Sequence, residues 1–307
     1  MTAEQPPAFA VRGLTKRYDL VTAVEGVDFT APSGTVTALV GPRGAGKTTI
    51  LRVLLGLVEA SSGTVTGRRE SPRDVGAVLT PRGLHPRRGA RAHLSVYAAA
   101  LRVPPRRVWE VLGLVGLDED TEIKPDAMSS GQRTRLALAT ALLADPKVLV
   151  LDDPMAGLDH TEHGWLQDFL RKHARRGGSA LLTAESLAAV LPAAEHIVVV
   201  HEGGVAYEGS ATRLRRGHPD RLVVAASTPV ALATGLAAEG YTDSVIRPDG
   251  RLAIAEANEA QIKAAADSAR VRIESIIPDP IHPDRVLASL TKPTRVASPP
   301  MPYGIPR

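Results

Sequence analysis

The chain has 307 residues, 44% of them apolar, and a formal net charge of +4, so a sizeable core is available and global disorder is not expected. The absence of cysteine excludes disulfides, thiolate metal sites and thiol catalysis. No run reaches about 18 uninterrupted apolar residues, so no bilayer-spanning helix is expected, and "MTAEQPPAFAVRG" lacks the basic-then-apolar pattern of a signal peptide.

In chain order, "TVTALV" (Thr35–Val40) reads as a strand that runs into glycine. "GPRGAGKTT" follows, and "KTTILRVLLGLV" (Lys47–Val58) has the Leu and Val spacing of a helix. "VGAVL" (Val75–Leu79) is strand-like, and the stretch from about Pro86 to Ala144 is helical in pattern. Strands resume at "KVLVLD", "SALLTA" and "HIVVVHEG". This order predicts an α/β fold with a largely parallel sheet and an inserted helical subdomain at about 86–144. The first domain is expected to span 1–210. Beyond it, 220–291 reads as βαββαβ, a small ferredoxin-like α+β domain expected to fold as a separate unit. The proline-rich segment 292–307 reads as a disordered tail.

Gly41, Pro42, Arg43, Gly44, Ala45, Gly46, Lys47, Thr48 and Thr49 fit G-x-x-x-x-G-K-[ST], placed after a strand and opening a helix as that motif requires. Its glycines let backbone N–H groups turn toward phosphate oxygens, and the helix N-terminus adds positive potential. Lys47 can reach the β and γ phosphates, and the Thr48 hydroxyl can ligate Mg²⁺. Asp152, at the end of "VLVLDDP", lies where ligands bind in open α/β sheets and can hold the same Mg²⁺ through water.

"MSSGQ" (Met128–Gln132) precedes that strand, and "GLD" (Gly157–Asp159) follows it. With these motifs in order from about Phe9 to Gly209, the chain resembles the nucleotide-binding subunits of ABC transporters, which are P-loop NTPases. The C-terminal unit further resembles the accessory domain of ATP-binding subunits that serve ABC-2-type exporters of the daunorubicin- and bacitracin-resistance kind. The resemblance implies a head-to-tail dimer that sandwiches ATP and Mg²⁺. In it, Ser129, Ser130, Gly131 and Gln132 of one subunit face the phosphate loop of the other, with Asp159 close by. It implies that Tyr18 stacks on adenine. It also implies an integral-membrane permease as partner, with this chain peripheral on the cytoplasmic face of the membrane.

Three positions depart from the family pattern. Asp153 stands where the family carries Glu as general base. Thr80, or a neighbour in "TPRGLHP", stands where it carries Gln, and Glu185 where a His contacts the γ-phosphate. A positioned general base gives roughly 10²–10⁴-fold, so the shorter Asp153 implies a slow ATPase, and an acid at 185 opposes charge development in phosphoryl transfer. Two arrangements stay open: a slow homodimer, or a heterodimer with a second ATP-binding subunit in which this chain's own site is the degenerate one. A non-hydrolysing regulatory module is the alternative of a different class. The basic stretch "RGLHPRRGARAH" (Arg82–His93) is a candidate docking loop for the permease or for anionic lipid. Without interleaved aromatics it gives no case for nucleic acid.

Overall fold

Val36, Ala38 and Val40 face one side of their strand and Leu39 the other, and both sides are buried. A strand covered on both faces lies inside a helix–sheet–helix sandwich, which explains the continuous apolar run. The computed structural model describes residues 6–67, 71–119, 121–217, 220–255, 257–279 and 283–291. The segment 292–307, expected to be a disordered tail, lies outside them.

The chain begins with β1 (Phe9–Tyr18) and β2 (Val21–Ala31), continues into β3 (Val36–Val40) and α1 (Lys47–Leu54), and returns through β4 (Ser62–Gly67) to β5 (Val75–Val78). Three helices follow: α2 (Ala90–Ala100), α3 (Arg106–Val115) and α4 (Ser130–Leu142). Next come β6 (Val148–Leu151), α5 (His160–Arg175), β7 (Ser179–Ala184), the short α6 (Leu187–Val190), β8 (His196–His201), β9 (Gly204–Ser210) and α7 (Ala211–Arg216). The main sheet has the order β5-β6-β7-β3-β8-β9, parallel except for β9 at its edge. A second, antiparallel sheet, β2-β1-β4, was not foreseen from the sequence.

Side chains alternate across a strand, so the main sheet feeds two cores. Leu149, Leu151 and Leu182 point with Val36, Ala38 and Val40 toward α4 and α5, where Leu136, Leu166 and Leu170 meet them. Val148, Val150, Leu181 and Leu39 point the other way, toward Ile50 and Leu51 of α1 and Phe9, Leu14 and Phe29 of the second sheet. The expected helical block at 86–144 corresponds to α2, α3 and α4, which pack on one another through Leu94, Leu112 and Leu138.

The C-terminal portion comprises β10 (Arg221–Ala226), α8 (Pro229–Ala238), β11 (Ser244–Ile246), β12 (Leu252–Ala255), α9 (Glu259–Ser268) and β13 (Ile273–Asp279). Its sheet runs β11-β12-β10-β13 with every neighbour antiparallel. Val224, Leu252 and Ile254 pack beneath Leu232, Leu236 and Ile262 of the two helices. One element departs from the expected separate unit at 220–291. The last helix, α10 (Pro283–Leu290), buries Val286 and Leu287 in the core of the main sheet, against Leu187, Val190 and Leu191. Its apolar residues are too few for the sequence pattern to show which core they join.

Candidate functional site

The phosphate loop is shaped by close backbone approach. A Cβ on Gly41 would lie 2.1 Å from the Val200 carbonyl oxygen, so no side chain fits where β3 ends. Gly46 has φ +92°, and a Cβ there would meet the Ala23 carbonyl oxygen at 2.4 Å. Both positions need glycine, one for space and one for backbone conformation as well. Lys47 opens α1 and turns its ammonium back into the loop, donating to the Gly41 and Pro42 carbonyl oxygens at 2.8 Å each. Burial lowers the Lys47 pKa, and the nearby carboxylates of Glu185, Asp153 and Asp152 oppose that shift. The same carboxylates favour its charged form.

Asp152 is held from three directions. Its N–H donates to the Val78 carbonyl oxygen at 2.7 Å, which ties the end of β6 to β5. Thr48 Oγ1 lies 3.0 Å from both of its carboxylate oxygens. Thr183 Oγ1 donates to Asp152 Oδ1 at 2.8 Å and accepts from the Asp153 N–H at 2.8 Å. Thr183 thus fixes both acidic residues, a role that sequence reasoning missed. The available signal was a lone hydroxyl in the otherwise apolar "ALLTA".

Asp153 adopts a left-handed backbone with φ 44°, uncommon for a residue with a Cβ and worth reading as a functional constraint. Its pKa is raised, first by burial and then by the charges of Glu185 and Asp152, against the opposing pull of Lys47 and Arg82. A raised pKa makes the carboxylate a stronger base. Thr80 Oγ1 donates to the Asp152 carbonyl oxygen at 3.3 Å, so this hydroxyl is anchored beside the acidic pair. Glu185, read from the sequence as an acid that opposes charge development, is paired: Arg43 Nε lies 3.1 Å from its Oε1. Lys47, Thr48, Asp152, Asp153, Thr80 and Glu185 line one open cleft of about 380 Å³ together with Arg43.

Other expected site residues lie elsewhere. Ser129 caps α4, accepting from the Gln132 N–H at 3.1 Å while Gln132 Oε1 accepts from the Ser129 N–H at 2.9 Å. This reciprocal capping box fixes the helix start. A Cβ on Gly131 would overlap the Glu162 carboxylate, and Ser129 Oγ reaches that carboxylate at 3.4 Å. Ser130 packs near Gly157. Asp159 caps α5, accepting from the Glu162 N–H at 2.8 Å. None of Ser129–Gln132 and Asp159 lines the cleft of this single chain. Tyr18, also outside the cleft, is 40% exposed, with Lys16 Nζ 4.8 Å above its ring. The basic stretch 82–93 divides. Arg82 is close enough to Asp153 to act on its charge, while His93 is buried against Tyr97 on α2. Its pKa is lowered, chiefly by burial.

The donor set fits Mg²⁺. Among the described residues no cluster of three or more His, Cys, Asp or Glu could cage a metal alone. Thr48 Oγ1 and the Asp152 carboxylate offer hard oxygens side by side, and Mg²⁺ is usually bound by one or two protein oxygens plus phosphates and water.

Residues 24–156 match the family model described as ABC transporter. The chain is 36% identical over 223 residues to a sulfate/thiosulfate import ATP-binding protein CysA of Methylococcus capsulatus, covering 66% of this chain and 62% of that one. It is 38% identical over 224 residues to the protein of the same name in Burkholderia mallei, covering 65% and 62%. The matched region thus spans 62% of the length of these curated relatives. They are named for import, so they lend no support to the exporter resemblance. Among solved structures, CbiO1 from Clostridium perfringens, part of the ABC transporter complex CbiONQ, superposes with a TM-score of 0.63 at 24% identity, over 69% of this chain and 92% of that one. The ATP-binding cassette MJ0796 bound to ADP and Pi gives 0.60 at 22%, over 66% and 98%. These likenesses show the ABC ATPase fold.

Proposed function

We propose that this chain, whose residues 24–156 match the family model described as ABC transporter, binds MgATP at residues 41–49 and uses it to drive a separate membrane permease. The observation that supports this most directly is the Thr48–Asp152 contact beside the inward-turned Lys47. Lys47 and the loop N–H groups meet the β and γ phosphates. Thr48 and Asp152 hold Mg²⁺, which neutralises phosphate charge when bound. Asp153 takes the proton of the attacking water, Thr183 keeps both acids in place, and Thr80 borders the water's position. Residues Ser129–Gln132 and Asp159, outside the cleft of their own chain, complete the site of a second subunit. Tyr18 meets the adenine. No helix among the described residues is long and apolar enough to cross a membrane. In this reading a separate permease supplies the membrane path, with this chain at its cytoplasmic face. The permease also sets the direction of transport.

The second reading is a partner whose own site is degenerate, in an asymmetric heterodimer. The combination of Asp153, Thr80 and Glu185 favours it. Residues 220–279 form the accessory unit in either reading. Titration of the full chain with MgATP and with Mg²⁺-free ATP tests the site, and steady-state phosphate release separates the two readings. Tight binding with turnover supports the motor. Tight binding without turnover, in this chain alone, supports the degenerate partner. No binding overturns both.

A further inference from the structure

We propose that Arg43 is this site's cation for the terminal phosphate of ATP, and that Glu185 is its positioning residue, holding the guanidinium at the cleft until nucleotide displaces the carboxylate. The inference rests on the MgATP reading above.

The topology places the two groups together. β3 and β7 are parallel neighbours, with Val40 opposite Ala184. The chain leaves both strands at the same end, toward residues 41–43 on one side and Glu185 on the other. Arg43 Nε and Glu185 Oε1 then meet at 3.1 Å on the wall of the cleft that holds Lys47, Thr48 and Asp153.

Charge explains why an acid is tolerated there. Asp152, Asp153 and Glu185 bring three carboxylates to a cleft that must take a polyphosphate, against the cations Lys47 and Arg43. Unopposed, Glu185 would repel the ligand. Paired with Arg43 it presents a neutral unit, and the guanidinium is the part that can turn to phosphate. The pair is also easy to exchange. The Arg43 side chain is 90% exposed and that of Glu185 46%, and exposed ion pairs contribute little. Arginine to phosphate is a charge-assisted contact, commonly bidentate, and stronger than that. Glu185 is therefore a placeholder that phosphate replaces when nucleotide binds. Arg43 supplies the positive contact that the residue at 185 does not.

The terminal phosphate is the natural recipient. Lys47 approaches from the floor of the loop, beside the Gly41 and Pro42 carbonyl oxygens, and is shared between the β and γ phosphates. The Arg43–Glu185 pair lines the same cleft as Asp153. The phosphate attacked with help from Asp153 is the terminal one, so Arg43 should distinguish a triphosphate from a diphosphate.

The test is calorimetric titration of the full chain with MgADP and with a non-hydrolysable MgATP analogue. The variants are Arg43→Met, Arg43→Lys, Glu185→Gln and the double variant Arg43→Met/Glu185→Gln. Arg43→Met is expected to weaken the triphosphate about tenfold, the scale of one hydrogen bond to a charged group, and the diphosphate far less. Arg43→Lys restores part of the loss. Glu185→Gln tightens the triphosphate several-fold when residue 43 is Met, where the acid stands unopposed, and by less when Arg43 is present to pair with it. An equal gain in both backgrounds would mean that Arg43 does not offset Glu185 and would overturn the proposal. So would an unchanged triphosphate-to-diphosphate ratio in Arg43→Met while wild type binds both, an outcome that leaves the MgATP reading intact. If wild type binds neither nucleotide, that reading falls and takes this one with it.

Discussion

Asp284 and Ser186, 98 positions apart, are hydrogen-bonded: Ser186 Oγ reaches the two Asp284 carboxylate oxygens at 3.1 and 3.0 Å. The Leu187 N–H also donates to Asp284 Oδ1, at 2.7 Å. The last described helix therefore ties itself to the turn that immediately follows Glu185, and this contact is where the C-terminal portion touches the nucleotide cleft's border.

Removing that tie should cost stability. Asp284→Ala deletes an acceptor for the first N–H groups of α6, a loss of about 0.5–2 kcal/mol on the scale of helix-cap substitutions. Leu287→Ala empties a buried position and should cost about 2–5 kcal/mol. A chain ending at 279 loses both contributions and exposes Leu187, Val190 and Leu191. A chain ending at 210 additionally loses Leu214 of α7 from the same core, so it is expected to be less stable than a freely separable domain. Chemical denaturation of the four proteins measures this, and midpoints equal to the full chain's would refute the packing role of α10.

Lys47→Ala should abolish MgATP binding and leave the fold in place. The ammonium bonds only to the loop's own carbonyls, Gly41 and Pro42, among the hydrogen bonds described, so its removal opens no core. Fluorescent-nucleotide titration beside a circular-dichroism spectrum checks both halves. Unchanged affinity would move the site elsewhere.

Asp153 carries a pH signature. Its folded pKa lies above the ordinary 3.8, so the native chain binds the proton more readily than the unfolded one. For an acid shifted this way the sign is a penalty. The penalty is absent below the unfolded value, grows as pH rises through the window up to the folded value, and is complete above it. Asp153→Asn removes the charge, so it should raise the melting temperature at pH 7. The gain should shrink to nothing as pH falls below about 3.8. A pH-independent gain, or a loss at pH 7, would contradict this electrostatic account. In the same variant phosphate release should drop by roughly 10²–10⁴-fold while MgATP still binds, because only the base is lost.

Asp153→Glu should raise phosphate release. It lengthens the base by one methylene, and a misplacement of about 1 Å can account for roughly 10²-fold. The comparison is steady-state release at saturating MgATP. A wild type already turning over rapidly would show that the shorter acid reaches its water unaided.

Two glycines separate space from flexibility. At Gly41 an added Cβ meets backbone, the Val200 carbonyl oxygen at 2.1 Å, and neither side can yield. Gly41→Ala should destabilise the chain by several kcal/mol, at the upper end for single substitutions, and should lose nucleotide. At Gly131 the obstacle is the flexible end of Glu162, at 1.6 Å. Gly131→Ala should therefore cost about 1 kcal/mol or less as that side chain swings out, and Gly131→Ala/Glu162→Ala should restore part of the loss. Thermal denaturation ranks the three variants. A Gly41→Ala protein as stable as wild type would mean that β3 and β8 can part without cost.

The phosphate loop was legible in the sequence because its geometry is local. Nine consecutive residues, Gly41–Thr49, contain the turn, the helix start, the lysine and the hydroxyl, so residue identity and spacing were enough. The buried strands "TVTALV" and "VLVLD" were legible for a similar reason: an apolar run between breakers has few places to go. The capping of α4 by Ser129 could be read from the spacing of Ser129 and Gln132. The sheet β2-β1-β4 was missed because antiparallel pairing joins strands with weak alternation, and α10 was missed because eight residues carry too little pattern to reveal the core they enter.

By itself the sequence determined the α/β class, the phosphate loop, the acidic pair Asp152–Asp153 and the three departures at Thr80, Asp153 and Glu185. Only the tertiary structure decided which partners those residues have, because it brings distant side chains within bonding distance. Arg43 and Glu185 are 142 positions apart and meet because β3 and β7 are neighbours in the sheet. Thr183 reaches both acids because β6 and β7 are also neighbours. Charge and hydrogen-bond partners depend on distance in space, and the order of residues along the chain fixes that distance only within a turn or a helix.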